Sequence, residues 1–490
     1  MTFAPSDSLL FSPTEIRGVR LENRIVLPAM VTRLSGADGF VNGDIRDRYL
    51  RHASGEPGLM VIEAMGVNDS KSGPLLRAGH ARFVPGLREL VDELHARSPT
   101  RIAAQIIHFL KLSRSGWRQR VQDLGHDEIR QVVEDYGDAA ARIRDASFDA
   151  VELHMAHAYT LSSFLSRRND RKDEFGGRSV ENRLRVPSLV LQRVRERVGP
   201  DFPVGIRFDG EEAIKDGYSV ADAALFAIRF ARLGADWLSI SAGGKFEDAV
   251  HRPGEPLYPY TGYSGDRCMP NAAYPDGLNV YLGDGVKRAL NERGLTVPVI
   301  ATGKIRTPEL AEAILRERRA DLIGMARQLL ADPDWPKKVR DGRANTVVCC
   351  VYNNVCKALD ERFLRVRCTL WRKHDLQAPQ APNDEATPVW PEGAALSAHE
   401  VDGRIRLAWT PATDDDRGDG GTVYGYMVLR SEADGPWIHV DSARGVAHRF
   451  DDASALGGTR YRYRIVAYDL AGNRSQPLGP VDIRLETSHA

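Results

Sequence analysis

Eight short apolar runs punctuate the first 345 residues: "RIVLPAM" (24–30), "GLMVIEA" (58–64), "RIAAQII" (101–107), "DAVEL" (149–153), "PVGIRF" (203–208), "DWLSIS" (236–241), "PVIATG" (298–303) and "DLIGMA" (321–326). They are continuously apolar and rich in Val and Ile, as strands buried on both faces should be. Longer amphipathic stretches separate most of them. In "SVADAALFAIRFARLGA", Ser219 is placed to N-cap a helix, Leu225, Ile228 and Leu233 fall on one face, and Gly234 can close it. In "TPELAEAILRERRA", Thr307 is a candidate N-cap with Pro308 at the first helical position. Eight strands with helices between them predict an α/β fold, a TIM (β/α)8 barrel; an open doubly wound sheet is the rival topology.

The texture changes near residue 375. "HDLQAPQAPNDEATPVWPEG" is rich in Pro, Ala and acidic residues and reads as a linker. Beyond it, "GRIRLAWTP", "TVYGYMVLRS", "WIHVDSA" and "RYRYRIVAYD" alternate with turn-forming segments. In the last of these, Tyr461, Tyr463, Ile465 and Ala467 share one face, while Arg462, Arg464 and Val466 take the other. This predicts a small antiparallel β-sandwich of immunoglobulin-like type. It resembles a fibronectin type III module, with Trp409 as the buried strand-B tryptophan, "GTRYRYRIVAYD" as the tyrosine-corner region and "DLAGNRSQP" as the turn into the last strand. The expected organisation is a barrel with a cysteine-containing extension over 1–374, a linker over 375–386 and the module over 387–486.

Charge and composition narrow the function classes. The 490 residues carry 67 basic and 67 acidic side chains, so no net field favours nucleic acid or an anionic membrane. The first residues, "MTFAPSDSLLFSPTEIRGV", lack a basic start followed by an apolar core, and no apolar run reaches membrane-spanning length. Four of the five cysteines (Cys349, Cys350, Cys356, Cys368, with Cys268 apart) lie within twenty residues of one another. That is no disulfide framework for so large a chain; it fits a cytoplasmic protein with a candidate metal or cluster site.

Function in a barrel of this kind sits at the C-terminal ends of the strands. Those ends carry Met30, Val31 and Thr32; Glu63 and Ala64; Gln105 and His108; His154 and His157; Arg207; Ser241, Gly243 and Gly244; Gly303 and Lys304; Ala326 and Arg327. Gln105 and Arg207 suit a polar ring edge. The "TGK" and "MAR" ends expose backbone N–H groups beside cations, which suits a phosphate. Together they point to bound flavin mononucleotide (FMN). The stretch "DAVELHMAHAYTLSSFLS" adds His154, His157 and Tyr159 at one strand end. Such a histidine pair could be a zinc site, but no third ligand is spaced nearby; it could be a buried structural pair, or it could hold a substrate oxygen.

Several stretches carry a family likeness: "LENRIVLPAM", "GLMVIEAMGV", "AQIIH", "FDAVELHMAHAYTLSSFLSRRNDRKDEFGGRSVENR", "VGIRFDG", "ADWLSISAGG", "PVIATGKI" and "ADLIGMARQLLADPDWPKK". From about residue 8 to 370 the chain resembles the Old Yellow Enzyme (NADH:flavin oxidoreductase) family, with a barrel like that of 2,4-dienoyl-CoA reductase. The resemblance implies a TIM barrel holding FMN, with NAD(P)H as co-substrate. It implies Ala29, Met30 and Ala64 against the flavin, Gln105 and Arg207 at its pyrimidine edge, and Gly243, Gly303, Lys304, Ala326 and Arg327 around its phosphate. His154 and His157 would then donate to a substrate carbonyl oxygen, where negative charge develops as hydride from flavin N5 reaches the β-carbon of an alkene. Tyr159 matches the family's proton donor to the α-carbon. No G-x-G-x-x-G follows a strand, so nicotinamide and substrate would use one pocket.

Three departures qualify the match. Val31 stands where many members carry Thr or Cys. "HFLKLSR", with Phe109, Leu110 and Lys111, replaces the family's His-Ala-Gly-Arg. Long members bind a [4Fe–4S] cluster through C-x2-C-x3-C-x11-C, and "CCVYNNVCKALDERFLRVRC" places Cys349, Cys356 and Cys368 on the first, third and fourth positions but Tyr352 on the second. A phenol is a poor substitute for a thiolate, so a degenerate, cluster-free site is expected unless Cys350 compensates. The leading expectation is an ene-reductase acting on α,β-unsaturated carbonyl compounds. The alternatives are an amine or alicyclic dehydrogenase resembling trimethylamine dehydrogenase, with Tyr258, Tyr260 and Tyr263 as cage candidates, and an assembly protein with a vestigial barrel. The C-terminal module would then serve as a self-association or docking surface.

Overall fold

The computed structural model describes residues 5–69, 74–110, 119–244, 265–272, 274–361, 363–371, 387–414, 423–444, 448–469 and 473–486. Its contacts divide the chain into two units, Met1–Pro270 with Asp276–Cys350, and Asn271–Pro275 with Val351–Ala490.

The first unit opens with a hairpin of β1 (Thr14–Ile16) and β2 (Val19–Leu21). Its two turn residues, Arg17 and Gly18, both have positive φ (43° and 77°), the backbone that a two-residue hairpin turn requires. Eight strands follow: β3 (Ile25–Leu27), β4 (Leu59–Gly66), β5 (Arg101–Ile107), β6 (Ala150–Met155), β7 (Val204–Asp209), β8 (Trp237–Ser241), β9 (Val299–Thr302) and β10 (Leu322–Gly324). They close in sequence order, β10 pairing with β3, and every pairing is parallel. All eight expected strands are present, in a barrel and not an open sheet. Pro28 follows the first directly, so Ala29 and Met30 lie just beyond its end.

Alternation along the strands separates two cores. Outward positions pack against the surrounding helices in the large apolar cluster. Inward, Val26, Leu59, Val61, Ala103, Ala150, Trp237, Ile300 and Leu322 fill the lower barrel, and Ile16 and Leu21 of the hairpin close it from below. Room for the Trp237 indole exists because its neighbour is Gly205: a β-carbon there would lie 1.8 Å from the ring. With one end plugged, the opposite end is left for chemistry.

The helices begin where the sequence places them. Ser219 and Asp222 form a reciprocal capping box ahead of the helix Val220–Arg232, and Gly234 follows it at φ 90°. Thr307 accepts from the Leu310 N–H, with Pro308 first in its helix. The buried stripe of Val220–Arg232 differs from the expected one. Ala223, Phe226, Ala227 and Phe230 are buried, while Leu225 is 48% exposed. Two phenylalanines at helical spacing bury more area than the leucine–isoleucine face and set the rotation.

In the second unit, β11 (Leu396–Val401), β12 (Arg404–Trp409), β13 (Val423–Glu432), β14 (Ile438–Arg444), β15 (Arg449–Asp452), β16 (Arg460–Asp469) and β17 (Leu478–Arg484) form two antiparallel sheets, β11-β12-β15 and β14-β13-β16-β17. Ile405, Leu407 and Trp409 of one meet Tyr426, Val428, Tyr461, Tyr463, Ile465 and Ala467 of the other. The opposite face of β16 is also used: Val466 and Tyr468, with Met427, pack against Val355, Ala358 and Leu359 of the helix Val355–Glu361. The segment that carries Cys356 and Cys368 therefore groups with the sandwich, and Cys349 and Cys350 with the barrel. Among the described residues none of the five cysteines forms a disulfide. The linker lies outside the described residues. Among the described residues, no helix is long and apolar enough to cross a membrane.

The wedge of Trp237 against Gly205 is open to test. Gly205→Ala should lower the unfolding free energy by about 1–3 kcal/mol through overpacking, read as a lower urea midpoint. An unchanged midpoint would show that the indole is not seated against that strand.

Candidate active site

The C-terminal rim of the barrel gathers the residues singled out in the sequence. His154 lies in β6, and its register partner on β7 is Arg207; Gln105 on β5 is the register partner of Glu152, two residues before His154. Alternation puts Glu152 and His154 on one face of β6, the inward one. β4 contributes through a bulge: Ile62 pairs with Ala104 and Met65 with Ile106, so one extra residue is accommodated at Glu63–Ala64. Bulges of this kind re-aim side chains at barrel rims. Here Ala64 joins Val31, Leu75, Ile107, Phe109 and Tyr159 in a small apolar cluster, while Glu63 turns away to Tyr49.

The histidine pair is held by backbone geometry that few residues adopt. His157 and Ala158 both sit at φ 62°, in the left-handed region. Such strain persists only where neighbours over-determine it. The His157 N–H donates to Asp209 Oδ2 at 2.8 Å, and His157 forms an isolated parallel bridge with Gly244. A β-carbon on Gly244 would meet His157 Cα at 2.4 Å, so glycine is what allows the approach.

Both imidazoles are neutral, and their hydrogen bonds distinguish their nitrogens. Burial, reinforced by the positive charge of Arg207, pulls His154 down to about 3. Its Nδ1 accepts from the Ala156 N–H at 3.1 Å, which leaves the ring proton on Nε2. Burial, then His154 and Arg207, push His157 well below the ordinary histidine range. Its Nε2 lies 2.7 Å from Ser241 Oγ, which itself accepts from Arg207 Nη2 at 3.5 Å. A serine proton directed to His157 Nε2 would leave the ring proton of His157 on Nδ1. Each histidine thus keeps one N–H donor.

Tyr159 packs edge-on to both His154 and Phe109, with centroids 5.1 and 5.3 Å away. Its backbone precedes the helix Thr160–Leu165, whose first residue ties to β5: Thr160 Oγ1 donates to His108 O at 3.0 Å and meets His108 Nδ1 at 2.9 Å. Val31 and Phe109, two of the departures, therefore stand beside Tyr159, while Lys111 and the tyrosines Tyr258, Tyr260 and Tyr263 lie outside the described residues.

On the other side of the rim, Gly303 and Lys304 follow β9, and Ala326 and Arg327 follow β10, whose register pairs Gly324 with Thr302. Gly303 has φ 118°, and a β-carbon on it would meet Asn279 Cβ at 2.7 Å. Asn279 is buried and its Oδ1 has no partner among the described residues. Burial lowers Lys304 to about 8. Its Nζ lies 3.9 Å from Asp276, and Arg327 donates to Pro270 O at 2.6 Å. Gly243, at φ 63°, donates to Glu211 O.

These residues fit an FMN molecule. Arg207 is buried, yet among the described residues it donates only to the hydroxyls of Ser239 and Ser241, at 3.2 and 3.5 Å, so its charge is available to an electron-rich ring edge. Gln105 stands beside it with an amide. Across the rim, positive-φ glycines allow close backbone approach, two cations provide donors for a phosphate, and the orphaned Asn279 oxygen can accept from a sugar hydroxyl.

Sequence reasoning overlooked Asp209, Glu152, Ser239 and Asn279 as parts of this site. The first two left a signal: a carboxylate at an inward position of an otherwise apolar buried strand needs partners.

A closed parallel barrel with a polar rim of this composition suits a bound flavin. Comparison with known proteins agrees. The family model for the NADH:flavin oxidoreductase / NADH oxidase family matches residues 110–254 and 283–346. An NADPH dehydrogenase of Geobacillus sp. (strain WCH70) is 30% identical over 346 residues, 67% of this chain and 93% of that protein. An NADH oxidase of Thermoanaerobacter brockii is 32% identical over 393 residues, 76% of this chain and 56% of that protein. A solved 2-naphthoyl-CoA reductase superposes with a TM-score of 0.66 at 22% identity, covering 78% of this chain and 60% of that one, which speaks for the fold. The chain belongs to the NADH:flavin oxidoreductase / NADH oxidase family. It spans about half the length of the NADH oxidase (56%) and of a similar metal reductase from Desulforamulus reducens (50%).

Glu63 supplies a test of the rim's electrostatics. It is fully buried, and burial raises it to about 7, although Thr32 N–H and Tyr49 O–H donate to its Oε2. Its folded value lies above the unfolded 4.5, so its contribution is present below 4.5 and is lost as pH rises through 7. Glu63→Gln cannot ionise and should gain stability relative to the parent between pH 5 and pH 8, by at most about 3 kcal/mol. Parallel denaturation series at the two pH values would reveal it; a constant difference would show that Glu63 keeps an ordinary carboxylate value.

Proposed function

We propose that this protein is an FMN-dependent NAD(P)H oxidoreductase that reduces the C=C bond of α,β-unsaturated carbonyl compounds. One observation carries the reading: two neutral imidazoles at one strand end, His154 buried and His157 half-buried, each carrying one N–H, beside a tyrosine 5.1 Å from the first ring. When bound, FMN would supply the hydride, taken from NAD(P)H and passed to the alkene carbon. Gln105 and Arg207 would hold its polar ring edge, Ala29, Met30 and Ala64 its face, and Gly243, Gly303, Lys304, Ala326 and Arg327 its phosphate.

The protein's own part is polarisation and proton transfer. His154 Nε2–H and His157 Nδ1–H would donate to the substrate carbonyl oxygen. Neutral donors suit this role because they stabilise negative charge as it grows without an ion pair in the ground state. Arg207 keeps the pair in that state by opposing imidazole protonation, and Asp209 fixes the His157 backbone by accepting its N–H. Tyr159 would deliver the proton to the α-carbon. Its ring packs in an apolar cluster with Val31, Ala64, Ile107 and Phe109.

A curated relative, N,N-dimethylglycine/sarcosine dehydrogenase of Chromohalobacter salexigens, is 29% identical, and the compounds in its name are amines. An amine would call for an acceptor or an aromatic cage, whereas paired N–H donors fit an oxygen, which favours the carbonyl reading. The substitution of Tyr352 for a cluster cysteine supports an enzyme that works through flavin alone. For the C-terminal sandwich we adopt the fibronectin type III reading, with a docking or self-association role. Trp409 is 5% exposed in its core, and Tyr461 Oη accepts from the Leu456 N–H five residues upstream at 2.9 Å, the arrangement of a tyrosine corner.

His154→Ala should lower kcat/KM for an enone such as cyclohexenone by roughly 10²–10³ while leaving NAD(P)H oxidation by air within a few-fold. Equal loss of both, with FMN retained, would sink the polarising role.

A further inference from the structure

Beneath the histidine pair, the barrel interior holds a carboxylate that the reaction above does not use. Glu152 is 1% exposed. Its Oε1 accepts from Gln105 Nε2 at 2.8 Å and its Oε2 from Trp237 Nε1 at 3.0 Å. Trp237 is itself fixed, because its ring occupies the space that Gly205 leaves.

Two consequences follow from the donor and acceptor inventory. The first concerns Gln105. An amide facing a carboxylate must present its NH2 group, so its carbonyl oxygen is turned away from Glu152. The Gln105 amide, whose two ends are chemically opposite, is thus held in one orientation. The second concerns charge. Both Glu152 oxygens receive an N–H in this geometry, and the Trp237 indole is a donor only, so the arrangement suits the ionised form. Burial pushes the carboxyl up, and Arg207 is the strongest influence drawing it back. Among the described residues Arg207 donates only to serine hydroxyls and not to Glu152, so Glu152 acts on it as a countercharge without direct contact. In so dry a setting a charge acts over several ångströms with little screening.

We propose that Glu152 is a positioning residue for the cofactor edge: it orients the Gln105 amide and offsets the charge of Arg207, making bound flavin harder to reduce. This rests on the FMN reading of the site. A reduced flavin is more electron-rich than an oxidised one, so an unopposed Arg207 would favour it, and the carboxylate moderates that preference.

Two substitutions separate the roles. Glu152→Gln keeps the shape and removes the charge. Glu152→Asp keeps the charge and shortens the reach to Gln105. Wild type and both variants would be purified with flavin, their midpoint potentials titrated, and the FMN dissociation constant of each reconstituted apoprotein measured. Glu152→Gln should hold reduced over oxidised flavin at least tenfold more tightly than wild type, a rise of about 30 mV for the two-electron couple. Glu152→Asp should stay within that limit and bind FMN at least about fivefold more weakly, as a displaced amide loses a charge-assisted contact. A Glu152→Gln potential equal to wild type, or undiminished affinity in Glu152→Asp, overturns the proposal. If Glu152→Gln fails to fold by circular dichroism, the affinity of Glu152→Asp decides alone. Wild-type protein that neither retains nor takes up FMN overturns the cofactor reading and this proposal with it; retained FMN with an unmoved potential overturns only the role of Glu152.

Discussion

Closure of the eight-stranded parallel barrel is the constraint on which the rest of the first unit depends. A parallel strand covered on both faces has no access to water, so every inward side chain must either pack or find a polar partner. The hairpin β1–β2 resolves the lower half by plugging it with Ile16 and Leu21 over a floor of branched aliphatics and Trp237. The upper half carries Glu152, Arg207, Asp209, Ser239 and Ser241 in the same enclosed space. Most of their partners come from neighbouring strands or the rim beyond them: Glu152 accepts from Gln105 and Trp237, Arg207 donates to Ser239 and Ser241, and Asp209 accepts from the His157 N–H, so the register of β5 to β8 sets this network as well as the fold.

That network explains why the histidine pair can be both strained and well placed. His157 takes a backbone conformation that side chains other than glycine rarely adopt, and it is gripped by Asp209 below, Gly244 alongside and Ser241 at its ring. Arg207 touches Ser241 and lowers the proton affinity of both imidazoles. One buried cation thus influences the protonation state of both imidazoles. The arrangement is preorganised, with little to rearrange when charge develops.

The second unit solves a different problem. A seven-stranded sandwich of two short sheets has a modest core, here built on Trp409, Tyr426, Tyr461 and Tyr463. Its larger sheet has an outer face as well, and the cysteine-bearing helix Val355–Glu361 covers part of it through Val355, Ala358 and Leu359. Val466 belongs to this contact. By period-two alternation it simply falls on the face of Arg462 and Arg464, and only the packing shows that this face turns apolar at Val466 and Tyr468.

By itself the sequence determined the elements and their kind. Continuous Val/Ile runs between capped helices specify buried parallel strands, and eight of them specify a barrel, because local hydrophobic periodicity and cap chemistry are encoded within a few residues of each other. It also placed the rim residues, since strand ends are legible: His154, His157, Tyr159, Gln105, Arg207, Gly303 and Lys304 were all readable there. What it left open depends on registers and distances between strands far apart in the chain. Gln105 meets Glu152, His157 meets Asp209 and Ser241, and Gly205 makes room for Trp237 across separations of up to 84 residues. The proton positions on the two imidazoles depend on those same contacts. The rotation of the helix Val220–Arg232 was likewise decided by tertiary packing, because competing apolar faces could be ranked only by the surface each one buries.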